Sequence, residues 1–139
     1  MVYKRVILKR GKEESLKRFH PWVFSGAIAR MDNIEEGDLV TVYDREGNLI
    51  GNGHYQIGSI AVRILTFDDT EIDSAFFVKR LTEAFKMRQA LGLSRPDNNA
   101  FRLVHGEGDF LPGLVVDIYG STAVMQAHSP GMHFARNLI

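Results

Sequence analysis

The chain has 139 residues, no cysteine, and seventeen Lys/Arg balanced by seventeen Asp/Glu. Its 45% apolar share suits folded globular structure, sized for one domain or two small ones. The missing cysteines exclude disulfides, thiolate catalysis, Cys-containing zinc sites and iron–sulfur clusters within this chain. The N-terminal Met1-Val2-Tyr3-Lys4-Arg5-Val6-Ile7-Leu8-Lys9-Arg10 is cut by charges too often for a signal sequence, and no apolar run approaches membrane-spanning length. The expectation is a soluble, cytoplasmic protein.

The zero net charge hides an asymmetry. Residues 1–30 sum to +6, residues 31–78 to −8 and residues 79–139 to +2. A basic front on a neutral protein points to a local anionic contact face, although charge blocks are also common solvated surfaces.

In chain order, Val2 to Lys9 is β-branched and aromatic and reads as a strand ended by Gly11. Glu13 to Phe19 suits a short helix with Leu16 and Phe19 on one face and Lys12, Lys17 and Arg18 off it. Pro21 biases His20 away from helical geometry. The stretch Lys17-Arg18-Phe19-His20-Pro21-Trp22-Val23-Phe24-Ser25-Gly26 is therefore a corner from which an extended segment runs to Met31, with Gly26 as a bulge. Cations and aromatic rings at a rigid corner suit a backbone-reading RNA surface. They equally suit core aromatics with solvated cations beside them.

Leu39 to Tyr43, a hairpin loop at Asp44 to Asn48, and a return at Leu49-Ile50-Gly51 follow, then a strand from Ile60 to Phe67. Several short strands with one short helix describe a small barrel. His54 is expected on the hairpin surface, and Trp22, opening an apolar strand, in the core.

After the acidic stretch Asp68 to Asp73, Asp73 or Ser74 can cap a helix running to about Leu91. Its expected inward stripe is Phe77, Leu81, Phe85, Met87 and Leu91, with Lys79, Arg80, Lys86 and Arg88 mainly opposite. Strands are expected at Phe101 to His105, Leu114 to Tyr119 and Thr122 to His128, joined by a glycine-rich loop to Gly113 and a turn at Gly120-Ser121. Ser129-Pro130-Gly131 opens a helix that reaches Leu138-Ile139 in mid-pattern, as a fragment would.

Most catalytic patterns fail on inspection. His105-Gly106-Glu107 matches half of a zinc deaminase signature, whose other half needs cysteines. The histidines at 20, 54, 105, 128 and 133 lack metalloprotease spacing, and Gly51-x-Gly53 and Gly106-x-Gly108 lack the third glycine of a dinucleotide fingerprint. No metal site and no catalytic residue is assigned. What remains is the loop from Arg102 to Asp117. Arg102, Glu107 and Asp109 either pin a rigid hairpin by charge-assisted hydrogen bonds or line a substrate pocket.

At this loop Phe101-Arg-Leu-Val-His-Gly-Glu-Gly-Asp-Phe-Leu-Pro-Gly-Leu-Val-Val-Asp-Ile-Tyr-Gly120 resembles a segment of bacterial S-adenosylmethionine-dependent methyltransferases acting on cytosine carbon 5 of large-subunit ribosomal RNA. Arg18 to Ile28, Gly37-Asp38-Leu-Val-Thr-Val and Leu49-Ile50-Gly51-Asn-Gly53 resemble that family's N-terminal PUA module. The resemblance implies a mixed α/β (α+β) chain. Residues 1–71 would be a PUA-like β pseudo-barrel, and 72–139 part of a strand–strand–helix–strand–strand domain.

The family's Rossmann methyltransferase domain would be absent, so this chain alone would have no activity and bind no cofactor. S-adenosylmethionine is implied for the parent protein. The implied partner is ribosomal RNA, met by Lys9, Arg10, Lys12, Lys17, Arg18 and His20, with Tyr55 a weaker aromatic contact. Arg102, Glu107 and Asp109 would shape the target pocket. The competing reading is a protein-interaction or dimerisation module with a basic docking face, giving a homodimer. A third is a small complete enzyme using His105, Glu107 and Asp109.

Overall fold

The structure is a computed structural model describing residues 2–139. It divides into two compact units, the first ending at Ile72 and the second running Asp73–Ile139.

The first unit holds β1 (Lys4–Leu8), α1 (Glu14–Lys17), β2 (Trp22–Phe24), β3 (Ile28–Met31), β4 (Leu39–Tyr43), β5 (Leu49–Tyr55) and β6 (Ile60–Thr66). They form one curled six-stranded sheet, a half-barrel, ordered β2-β6-β5-β4-β1-β3, in which only β1 and β4 run parallel. Period-two alternation sends Val6, Leu8, Val40, Val42, Val62 and Ile64 into one apolar cluster, joined by Val23 of β2 and Leu16 of α1. Burying Leu16 is worth about 2–3 kcal/mol. It is the one buried apolar side chain of a four-residue helix that could not stand alone. β5 and β6 cross so closely that a Cβ on Gly53 would lie 2.2 Å from the Arg63 carbonyl oxygen, which restricts the position to glycine.

Three expectations change here. The extended segment from Trp22 is two strands separated by a 3₁₀ turn at Ser25–Ala27, pairing with β6 and β1 respectively, so Gly26 sits in a turn and not in a bulge. β5 continues to Tyr55, which puts His54 inside the sheet, 4% exposed, instead of on a hairpin surface. Phe19 is 67% exposed and Phe24 is 49% exposed, so neither anchors the core. Trp22 is half-buried in the row Trp22–Arg63–His54–Leu39 across four strands. Val23, its neighbour on the opposite face, belongs to the core cluster.

The second unit holds α2 (Ser74–Ala90), then an antiparallel sheet of β7 (Ala100–His105), β8 (Leu114–Tyr119) and β9 (Thr122–Ala127), then α3 (Pro130–Phe134). The Asp73 carboxylate caps α2 by accepting the Phe76 N–H at 2.9 Å, and Ser129 Oγ caps α3 by accepting the Met132 N–H at 3.2 Å. The order from 73 onward is helix, three strands and helix, with no pair of strands ahead of α2.

The buried face of α2 is Phe76, Phe77, Ala84 and Arg88, one stripe at helical spacing. Phe85, Met87 and Leu91, expected inward, are exposed. Arg88 is inward because Asp109 neutralises it there, a partner that no helical pattern can announce.

Candidate nucleic-acid interface

The first candidate surface is the segment 9–20, between the end of β1 and the start of β2. It is tied down by backbone bonds from Lys9 N–H to the Ala27 oxygen (2.8 Å) and from Lys12 N–H to the Lys9 oxygen (3.1 Å). α1 ends where Phe19 donates to the Leu16 oxygen (2.9 Å) and His20 to the Ser15 oxygen (3.1 Å), with Phe19 in the left-handed region at φ 64°. A bulky residue there costs about 1–2 kcal/mol. On either side of Pro21 the rings of His20, Trp22 and Phe24 follow one another edge to face, with centroids 5.4 and 6.3 Å apart.

Around this corner Lys9, Arg10, Lys12, Lys17, Arg18 and His20 are all exposed. Lys17 lies 4.0 Å from Glu13 and Arg10 3.9 Å from Glu46, surface pairs of little net energy. Among the described residues Lys9, Lys12 and Arg18 make no salt bridge. Lys4 and Arg5, by contrast, are engaged by Asp38 at 2.9 Å and Asp32 at 3.6 Å. The acidic segment thus occupies the cations of β1 and leaves those of the corner to solvent.

Clefts lie on both sides of α1. One of about 360 Å³ is lined by Lys17, Phe19, Asn48, Leu49 and Phe67, and one of about 310 Å³ by Lys12, Ser15, Trp22 and Phe24. Tyr55 lies elsewhere, half-buried against the apolar cluster. Burial holds the buried His54 ring down at a pKa of about 4, and its Nδ1 has no hydrogen-bond partner.

The second candidate surface is the loop between β7 and β8. Its 3₁₀ turn, Gly106–Asp109, is held from beneath by a bidentate pair, Arg88 Nη1 to Asp109 Oδ1 at 2.5 Å and Nη2 to Oδ2 at 2.7 Å. Arg88 Nε also donates to the Arg102 carbonyl at 3.1 Å, and the His105 N–H donates to Asp109 at 2.7 Å. Burial pushes the Asp109 carboxyl up. The hydrogen bonds from Arg88 and the His105 backbone, with the Arg88 charge, outweigh it and hold the group below the ordinary carboxylate range.

Of the three residues expected to pin this loop, only Asp109 does so. Arg102 pairs instead with Asp117 across the β7–β8 ladder, at 2.8 Å, and Glu107 is exposed. Arg102 and Asp109, with His105, line one cleft of about 540 Å³ that Glu107 does not reach.

Phe110 ends this turn as Phe19 ends α1. Its φ is 58°, its N–H donates to the Glu107 oxygen at 3.1 Å, and the next N–H, of Leu111, reaches the Gly106 oxygen at 3.1 Å. Neither strained phenylalanine was legible as such. A spacing of residue types carries no φ, and a phenylalanine in an apolar run reads as core.

The second sheet is antiparallel and offers no crevice at the carboxyl ends of parallel strands. No group of three or more metal-ligating side chains is found among the described residues, nor is any helix long and apolar enough to cross a membrane.

Comparison with known proteins bears on both units. Residues 6–67 match the model of the PUA-like domain family. The chain is 42% identical, over 135 residues and 95% of its length, to ribosomal RNA large subunit methyltransferase I of Escherichia coli SMS-3-5, and equally identical to that of strain O1:K1. It spans about a third (34%) of the length of these relatives. The fold matches SMU.776, described as a methyltransferase and solved in complex with SAH, with a TM-score of 0.82 over all of this chain and 36% of that one at 18% identity. Residues 6–67 are therefore similar to PUA-like domains, and the chain is similar to about a third of the length of ribosomal RNA large subunit methyltransferases.

Proposed function

We propose that a PUA domain over residues 1–71 grips ribosomal RNA through Lys9, Arg10, Lys12, Lys17, Arg18 and His20 and positions it for a methyltransferase carried by the whole protein. The observation that supports this most is the exposed, continuous basic corner, hung on Leu16, with three cations free of carboxylates. Phosphate oxygens are the natural partners of such a surface. Tyr55, at the margin of the core, contributes least.

Residues 72–139 belong to a partial strand–strand–helix–strand–strand domain. Arg102 and Asp109 at their cleft, with Glu107 on the loop's exposed side, shape the target pocket. Methyl transfer to cytosine carbon 5, with S-adenosylmethionine as donor and a cysteine thiolate as nucleophile, belongs to the length of the relatives that this chain does not span. The chain alone is inactive, and the whole protein works in the cytoplasm.

The test is a titration of large-subunit ribosomal RNA fragments by fluorescence anisotropy across a salt series. Affinity should fall steeply with salt, and Lys17→Ala with Arg18→Ala should weaken binding and flatten the log–log slope by about 1–2. Micromolar or weaker binding that ignores salt would overturn the reading. A second reading, a homodimer, is favoured by one observation. β9 is an edge strand with an exposed, uncharged sequence and an unbroken register. A defined dimer in sedimentation that ignores RNA would favour it over the first.

A further inference from the structure

We propose that Phe110 is a stacking platform for an unpaired RNA base, a binding site in the second unit that is separate from the basic corner of the first. The proposal rests on the RNA-binding reading above and extends it to a residue outside the basic set. Three observations carry it.

The first is conformational. Phe110 holds a left-handed backbone that side chains of its size avoid. The same closing pair of hydrogen bonds ends α2, where Gly92 donates to the Gln89 oxygen (3.0 Å) and Leu93 to the Arg88 oxygen (2.9 Å). There the left-handed position, φ 73°, is a glycine. The turn therefore needs no phenylalanine, and strain kept at such a site marks a side chain used for something other than closing it.

The second is display. Phe110 is 58% exposed, yet its turn is clamped by the buried Arg88–Asp109 pair and the His105 N–H. An aromatic ring on an immobilised turn loses little freedom when a base is laid against it.

The third is charge. The Arg80 guanidinium lies 5.6 Å from the Phe110 ring centroid and 5.0 Å from that of Phe76. A permanent cation held against one face of the ring makes the aromatic site charged as well as apolar, which suits a nucleobase better than an apolar peptide. A cleft of about 540 Å³, reached by Gly108 and Asp109 of the same turn and by Arg102 and His105, is within the size range of small-ligand sites.

The experiment uses the 139-residue chain and a short single-stranded RNA carrying 2-aminopurine, whose emission falls on stacking. Phe110→Leu should weaken binding about tenfold, abolish the fall in emission, and leave the salt slope unchanged, because no phosphate contact is lost. Phe110→Trp should restore both. A 4-thiouridine-substituted RNA, irradiated on the unmodified chain, should crosslink to a peptide containing Phe110, a readout independent of how any variant folds. If RNA binds but Phe110→Leu matches the parent chain, or crosslinks map only to residues 9–24, the proposal falls while the RNA reading stands. If the unmodified chain does not bind RNA, both fall.

Discussion

Phe19 and Phe110 occupy the same left-handed position with the same pair of closing hydrogen bonds, one in each unit, and opposite physics holds them. Under Phe19 the support is apolar. Leu16 is buried in the cluster, and the Phe19 ring meets Phe67 edge to face at 5.3 Å. Under Phe110 the support is ionic, a bidentate Arg88–Asp109 pair nearly closed to solvent. An apolar support is tolerant of pH, whereas a buried pair holds hard and fails badly if one partner is lost. The contrast also orders the charges. Around Phe19 the cations face solvent and can reach phosphate, whereas at Phe110 the nearest arginines are spent on structure, Arg88 in its ion pair and Arg80 over two rings.

The largest way to break this comparison is Arg88→Ala. Leaving Asp109 buried and unpaired should cost about 3–5 kcal/mol. Arg88→Met with Asp109→Leu should recover most of that loss. The measurement is urea denaturation followed by far-UV dichroism, and an unchanged midpoint in Arg88→Ala would show that the pair is not what holds the loop.

The next effect separates the units by acid. In the first, His54 is kept neutral, with a folded pKa of about 4 against an ordinary 6.5. Its contribution is therefore complete above about pH 6.5 and is lost as pH falls towards 4, up to about 3 kcal/mol. In the second, the Asp109 carboxyl sits below its usual range, so the stability it lends persists through that window and is lost only at lower pH. The chain's single tryptophan, Trp22, reports the first unit. Its urea midpoint should fall between pH 7 and 4.5, and His54→Gln should flatten that fall. An unaltered slope in the variant would assign the acid sensitivity elsewhere.

The smallest effect is Phe19→Gly. Relief of about 1–2 kcal/mol of backbone strain offsets an edge-to-face contact worth about 0.5–1.5 kcal/mol, so stability should stay within about 1 kcal/mol of the parent. A larger loss would mean that the ring supports the corner and is not merely displayed there.

Much of this architecture is legible in the sequence. The hairpin of β4 and β5, the cap at Asp73, the Ser129-Pro130 helix start and the register-setting turn at Gly120 all arise from local chemistry. So does the exposure of Lys9, Arg10, Lys12, Lys17 and Arg18, since long cations stay wet unless something neutralises them. Arg88 is the exception that explains the rest. Its partner lies twenty-one positions away in another element, beyond the reach of helical periodicity. His54 was misplaced for a similar reason: a polar residue after Gly53 reads as loop, and only the continuation of the β5–β6 ladder buries it.

Composition and pattern by themselves determined the alternating strands, the capped helix, the basic corner and the absence of a thiol nucleophile, because each depends on residues near one another in sequence. Only the tertiary structure decided which arginine is buried, which aromatic rings face solvent, and that two phenylalanines stand in a conformation normally left to glycine. Those depend on partners brought from distant positions, and on backbone angles that pairing and packing impose on a residue whatever its own preference.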